Sequence, residues 1–309
     1  MAHTAATLSR VNDASARSSS IRFLLQVSRP GLWTTTTLFY LMPLGNFSGL
    51  LNSARFWSGL LYILFPLSFL LYGVNDIADA EGDRLNPRKG TFLFGSRGAE
   101  EQLRKLRWQI IAVQLPFALA FFLWIGLPIL LWFGALLAAV ALYNAPRIGW
   151  KGRPPLDVLI QASYLLVFLL SSWVNQSPQL PWQTFVFGGL FAMHSHVFGE
   201  VMDIVPDQAI GRRTTATMLG PVRTKLLIGA ILCVECAWIA RYFRDWPILI
   251  FLGAGVAWFL CDSLLLWKER PYRQQTMRVF MLAWNAAAVA GIAWNFTHHT
   301  LTQAARTLG

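Results

Sequence analysis

Four carboxylates crowd the stretch Asn75-Asp76-Ile77-Ala78-Asp79-Ala80-Glu81-Gly82-Asp83, which follows a charge-free apolar run and precedes a basic loop. On a helix, Asp76, Asp79 and Asp83 stand at i, i+3 and i+7, within a sector of about 60° at 100° per residue. Anions this close repel one another and push some of their number toward the neutral acid, and a bound cation relieves that repulsion. Glu81 projects roughly 140° away from Asp76 on the same count and is set aside as a ligand. An all-oxygen donor set suits Mg²⁺, which keeps several waters and is usually held by a few carboxylates together with substrate phosphates.

A second stretch repeats the first. Adding 124 to each position carries Asp76, Asp79 and Asp83 onto Glu200, Asp203 and Asp207, and carries Arg88 and Lys89 onto Arg212 and Arg213. Gly82 falls on Pro206, so each copy has a helix-weakening residue just before its last acid, which is expected to sit at a helix end. Two acid sets facing across a cavity, with Arg and Lys beside them, would hold a diphosphate. Mg²⁺ would bridge its oxygens while the basic side chains take the residual charge. Carboxylates alone would repel it.

The elements that position these residues follow from composition. With 55% apolar residues, 14 Trp, 22 Phe and only 13% charge in 309 residues, the chain reads as an all-α, polytopic membrane protein with its helices around a central cavity. A spanning helix needs about 20 predominantly apolar residues. Runs 30–54 and 56–75 give the first two, and the first acid cluster follows directly. Run 108–146 is too long for one crossing and divides at Gly126-Leu127-Pro128. Run 158–199 divides at Asn175-Gln176-Ser177-Pro178, and its second helix leads into the second acid cluster. Runs 226–240, 246–267 and 279–303 complete nine spans. The expected organisation is a disordered N-terminal segment over 1–20, one nine-helix domain over 21–303 and a short tail over 304–309.

All but four of the 26 Lys and Arg residues fall on one side of these spans, the exceptions being Arg55, Arg241, Arg244 and Arg306. By the positive-inside rule that side is cytoplasmic, and it holds the N-terminus and both acid clusters, leaving the tail extracytoplasmic in an inner-membrane protein. The net charge of +11 therefore describes inside loops, which attract anionic lipid or an anionic substrate, and not a nucleic-acid surface. Cys233, Cys236 and Cys261 lie in apolar runs, which argues against a disulfide framework. Glu235 and Asp262 also lie within apolar runs, where an acid is functional or internally paired. His196, one turn before Glu200, is read as a cavity-facing residue with a structural hydrogen bond.

Taken together, the pattern Asn75-Asp76-x-x-Asp79-x-x-x-Asp83, the second pattern Asp203-x-x-x-Asp207 and nine spans resemble the UbiA superfamily of intramembrane prenyltransferases across roughly residues 20–300. Ser28-Arg29-Pro30 and the run Gly211-Arg212-Arg213-Thr214-Thr215-Ala216 are similar to that family as well. The resemblance implies Mg²⁺-dependent transfer of a prenyl group from a prenyl diphosphate to a lipophilic acceptor. Asp76, Asp79, Asp83, Asp203 and Asp207 would hold the metal, with Glu200 as a further acid. Asn75 would share the site, and Arg88, Lys89, Arg212 and Arg213 would contact the diphosphate. The loop Asn86-Pro87-Arg88-Lys89-Gly90 lacks the Arg-Pro pair of many members with aromatic acceptors. Together with His196-Val197-Phe198-Gly199 and Tyr143-Asn144-Ala145-Pro146, it looks more like the branch of lycopene elongases, with a quinone precursor or a tetrapyrrole as the other acceptor classes. A transporter is the rival of a different class, but transporter sites lie near the bilayer midplane, whereas these acids sit at predicted cytoplasmic ends.

Overall fold

A computed structural model describes residues 20–45 and 49–303. The expectations for the N-terminal segment up to residue 19 and for the tail 304–309 fall outside the described residues.

Helix α1 covers residues 20–27. A 3-10 turn at Pro30–Leu32 then leads into α2, Trp33–Leu41, which continues as a second 3-10 turn to Leu44. Pro30 suits the first helical position because the N–H it lacks would have no partner there. Next come α3, Ala54–Tyr62, with the Ser53 side chain accepting from the Phe56 N–H as its cap, and α4, Ser68–Ala78. They are joined by a π turn at Ile63–Leu67 that contains Pro66. Proline has no N–H for the helical ladder, and Ser68 Oγ donates to the Ile63 carbonyl at 3.1 Å. Short α5, Ala80–Leu85, follows, and then α6, Glu100–Ile125, and α7, Pro128–Asn144. Gly126, with φ 82, separates these two at the expected break.

Short α8, Leu156–Leu159, and a 3-10 stretch, Ile160–Leu165, run into α9, Leu166–Asn175. The 28-residue α10 spans Trp182–Ala209, and α11 is Thr215–Leu219. Helices α12, Pro221–Tyr242, α13, Trp246–Leu264, and α14, Gln274–His298, close the chain. Helix α10 packs against α12, α11, α5, α8 and the 3-10 stretch before α9, which makes it the axis of the bundle.

Among the described residues five helical stretches are long and apolar enough to cross a membrane: Ala54–Ala78, Glu100–Ile125, Leu156–Asn175, Trp246–Leu264 and Gln274–His298, with Pro128–Asn144 a shorter apolar helix. Their outward faces carry exposed Leu119, Leu123, Leu131, Ile250 and Leu282, a pattern that fits a hydrocarbon surround. Inside, aromatic rings interlock: Tyr62 meets Phe121 edge to face at 5.1 Å, and Phe39 stacks on Phe168 at 5.0 Å.

Local details differ from the periodicity. In the first apolar run α2 and the 3-10 turn after it end at Leu44, and a separate 3-10 turn covers Leu50–Asn52. The third helix begins at Glu100, so Arg104, Lys105 and Arg107 lie on its opening turns, with Lys105 paired to Glu101 at 2.7 Å. Long basic stems can lie along apolar surface while their heads reach water, which lets the helix extend beyond the charge-free run. Cys233, Cys236 and Cys261 are free thiols.

Candidate active site

The two acid stretches are built differently. Asp76 lies in the last turn of α4, but Asp79 (φ −100, ψ 8) interrupts the helix between α4 and α5, and Asp83 belongs to α5. The break therefore lies one turn ahead of Gly82. Glycine at 82 serves close packing instead: a Cβ there would stand 2.6 Å from Ile210 Cδ1, so its absence lets α5 approach the end of α10. In the second copy Asp203 and Asp207 lie on the unbroken α10, and Pro206 is accommodated inside its last turns. Glu81 is exposed, as its angular position requires.

Asp76, Asp79, Asp83, Asp203 and Asp207 each stand against a Lys or Arg side chain. Asp76, 2% exposed, accepts from Arg29 Nη2 at 2.9 Å, Lys89 Nζ at 2.8 Å and Ser96 Oγ at 2.6 Å. Lys89 Nζ also lies 2.7 Å from Asp83 Oδ2, so one ammonium spans two acids of the first stretch. Asp79 accepts from Arg212 Nη2 at 2.6 Å and pairs with Lys151, whose ammonium also donates to Asn75 Oδ1 at 2.6 Å. Arg212 Nη1 reaches Asp207 at 3.0 Å. Asp203 pairs with Arg88 and accepts from Asn86 Nδ2 at 2.9 Å.

Charge balance varies across this network. Burial alone would raise the Asp79 carboxyl, but Lys151 and Arg212 outweigh it and hold the group below the ordinary carboxylate value. Asp83 goes the other way: burial lifts it despite Lys89, and Asp76 and Asp79 add to the rise. Lys151 is lowered by burial, against the pull of Asp79. Lys89 Nζ, 2.7 Å from Asp83 Oδ2, thus offsets the burial of Asp83 only in part.

Among the described residues no three His, Cys, Asp or Glu side chains gather closely enough to hold a metal by themselves. The donor set nevertheless fits Mg²⁺, which takes a few hard carboxylate oxygens and completes its octahedron with water and phosphate. Asp79, Asp83, Asp203 and Asp207 all face one cavity, and Asp207, pushed up to about 7 by burial and by neighbouring Asp203, is the acid there most in need of a cation.

That cavity measures about 330 Å³, within the range of small-molecule sites. Along α10 its wall runs from Phe191 through Ser195, Gly199 and Asp203 to Asp207, about 24 Å of helix at 1.5 Å per residue. The acid end carries Asn75, Arg88, Lys89, Lys151 and Arg212; the far end is lined by Phe39, Leu136, Phe191, Met281 and Trp284. Glu200 lines the middle, accepts from the Ala216 N–H at 3.1 Å, and lies 3.1 Å from His196 Nε2. Arg213 is exposed, contacts Met218 Sδ at 3.8 Å and does not line the cavity.

Two participants come from far along the chain, Arg29 from the Ser28-Arg29-Pro30 run and Lys151 from no motif at all. Arg29 stands 47 residues before its partner Asp76, and Lys151 stands 72 residues after Asp79. In the sequence Lys151 is one basic residue of a basic loop; its burial beside Asn75 is set only by the packing of that loop onto α4. The two acids inside apolar runs are paired: Glu235 with His194 Nδ1 at 2.6 Å, and Asp262 with Lys225 Nζ at 2.9 Å and with the Tyr272 hydroxyl. Asp157, fully buried at the start of α8, accepts from the Thr215 N–H at 2.6 Å and hydroxyl at 2.8 Å, tying the loop after α10 over the cavity wall.

Residues 31–294 match the UbiA prenyltransferase family. A lycopene elongase/hydratase of Corynebacterium glutamicum is 30% identical over 258 residues, spanning 80% of this chain and 86% of the relative. Another of Haloarcula japonica is 32% identical over 254 residues, spanning 76% and 82%. Among solved structures, a UbiA homolog from Archaeoglobus fulgidus bound to DMAPP and Mg²⁺ has a TM-score of 0.65 and 19% identity, covering 89% of this chain and 98% of that one. A structure of a UbiA homolog from the same organism bound to GPP and Mg²⁺ has a TM-score of 0.58 at the same identity, covering 87% and 99%. At that identity the likeness is one of fold. With a family match across most of the chain, two relatives at 30% identity or more over most of their own length, and helices long enough to cross a bilayer, the chain belongs to the UbiA prenyltransferase family and is an integral membrane enzyme.

Proposed function

We propose that this protein transfers a prenyl group from an allylic prenyl diphosphate to a lipophilic acceptor of the carotenoid class. The observation that carries the reading is one continuous cavity with two acid-and-base clusters at one end and an aromatic interior at the other. A prenyl diphosphate has the same division: a polyanionic head and an apolar tail. The carotenoid assignment is supported by the relatives from Corynebacterium glutamicum and Haloarcula japonica, which are named lycopene elongase/hydratase.

Asp79, Asp83, Asp203 and Asp207 would hold Mg²⁺, with Asp76 bracing Arg29 and Lys89 behind them. The metal, when bound, neutralises the charge that builds on the departing diphosphate. Arg88, Lys89, Lys151 and Arg212 each carry N–H donors at the same mouth and would turn them from carboxylate to phosphate oxygens. Cleavage breaks the allylic C–O bond, and its electron pair leaves with the diphosphate. The allylic cation remains among Phe39, Phe191 and Trp284, whose ring faces favour positive charge and whose bulk excludes water. A double bond of the acceptor supplies the pair for the new C–C bond. The acceptor-derived cation then loses a proton, or takes up water with loss of a proton.

The full arrangement we propose has nine spans in one domain over 21–303, with the acid clusters cytoplasmic in the inner membrane. Lipid mass spectrometry of cells with and without the protein tests the acceptor. A carotenoid extended by one or two prenyl units is expected; a prenylated quinone precursor or tetrapyrrole in its place would overturn the assignment. For the chemistry, purified protein is expected to release diphosphate from an allylic donor only with Mg²⁺ present, and Asp203→Ala is expected to stop it. Full turnover by that variant would refute the mechanism.

A further inference from the structure

A second buried acid–base pair lies behind the aromatic end of the cavity. Glu235 sits in the middle of α12 with no exposed surface, and its Oε1 is 2.6 Å from Nδ1 of His194 on α10. At 2.6 Å these two atoms are within hydrogen-bond distance. The other carboxylate oxygen, Oε2, has no partner. Such a pair is weak support for stability, because well-packed apolar residues of similar volume usually do as well or better in a buried site. An ionisable group at membrane depth points to a use.

The position of the His194 ring supplies that use. It stands edge to face with Phe191 at 5.2 Å and 77°, and with Trp284 at 6.0 Å and 74°. Phe191 and Trp284 are 5.3 Å apart and both line the cavity, whereas neither His194 nor Glu235 does. Trp284 is pinned at its other edge by Nε1 donating to Thr35 Oγ1 at 2.8 Å. An imidazole free to turn about χ2 would not hold two rings in one arrangement; the bond to Glu235 removes that freedom.

We infer that the His194–Glu235 pair is a positioning device for the reaction. By fixing the imidazole edge against Phe191 and Trp284, it holds the two ring faces where the prenyl cation must be shielded and stabilised until the acceptor attacks. Neither residue touches substrate. The inference rests on the prenyl-transfer reading and concerns only what happens after the C–O bond breaks.

The test compares wild type, Glu235→Gln, Glu235→Leu and the apolar pair His194→Leu with Glu235→Leu, each purified in detergent with an allylic donor, Mg²⁺ and a carotenoid acceptor. Diphosphate released, prenylated acceptor and free prenyl alcohol are measured together. Glu235→Leu is expected to keep the donor KM within about twofold, while the ratio of prenylated acceptor to diphosphate falls at least fivefold and prenyl alcohol rises. Glu235→Gln, whose amide oxygen still accepts from Nδ1, is expected to restore more than half of that ratio. The double variant leaves no buried group unpaired and is expected to fold and to show the same uncoupling. A wild-type ratio in Glu235→Leu or in the double variant overturns the inference, as does no recovery in Glu235→Gln. Absence of diphosphate release by wild type would instead overturn the prenyl-transfer reading itself.

Discussion

Arg212 holds Asp79 through Nη2 at 2.6 Å while its Nη1 holds Asp207 at 3.0 Å, so one guanidinium joins acid stretches whose residues are 128 apart in the chain. Its neighbour Arg213 is exposed and turns to Met218. The pair therefore separates under mutation. Arg212→Ala is expected to lower kcat/KM for the donor by about 100-fold, about 2.7 kcal/mol, while Arg213→Ala stays within about twofold. Equal losses in steady-state assays of the two variants would contradict this geometry.

Arg212→Lys tests whether the fork matters or only the charge. A lysine reaches one carboxylate at a time, whereas guanidinium nitrogens bind two acceptors in fixed directions. The variant is expected to keep less than about a tenth of wild-type kcat/KM. Recovery to near wild type would mean that charge alone suffices.

Asp76 and Asp203 are expected to fail in different ways. Asp76 is buried under Arg29, Lys89 and Ser96, and replacing it by Asn strands Arg29 and leaves Lys89 with Asp83 alone. The loss expected is about 3–5 kcal/mol, visible as a lower thermal midpoint in detergent. Asp203 has a side chain about one third exposed, so Asp203→Asn is expected to abolish diphosphate release with little change in that midpoint.

Lys225 and Asp262 form an isolated pair, 1% and 0% exposed, with the Lys268 carbonyl and Tyr272 completing the shell. Lys225→Met strands a buried acid and is expected to destabilise by about 3–5 kcal/mol. Combining it with Asp262→Leu removes the stranded charge and is expected to recover most of the loss. A double variant no more stable than the single one would show that the pair itself, and not its broken half, matters.

The nine-span arrangement proposed above places a reporter fused after Gly309 outside the cytoplasm, by the distribution of Lys and Arg. A cytoplasmic signal would require another number of crossings.

Much of this was legible without coordinates. Hydropathy set the membrane helices, because a hydrocarbon surround demands continuous apolar length and nothing else satisfies it. The 124-residue repeat picked out acids of which Asp79, Asp83, Glu200, Asp203 and Asp207 line one cavity, because a repeated helical spacing keeps side chains on one face. The break at Gly126 followed from the same local rules. The kink at Asp79 did not: the sequence marks Gly82 as the weak point, but the close approach of α5 to Ile210 uses that glycine for space while the turn falls earlier.

What the chain determined by itself was its solvent and its chemistry: lipid outside, and paired carboxylates with basic neighbours inside. Only the tertiary structure decided the partners. Lys151 joined the site and Arg213 left it, and Glu235 found His194 41 residues away. Periodicity fixes the face on which a side chain lies. Which distant face it meets depends on how long helices cross and how loops return, and those are set by packing across the whole bundle.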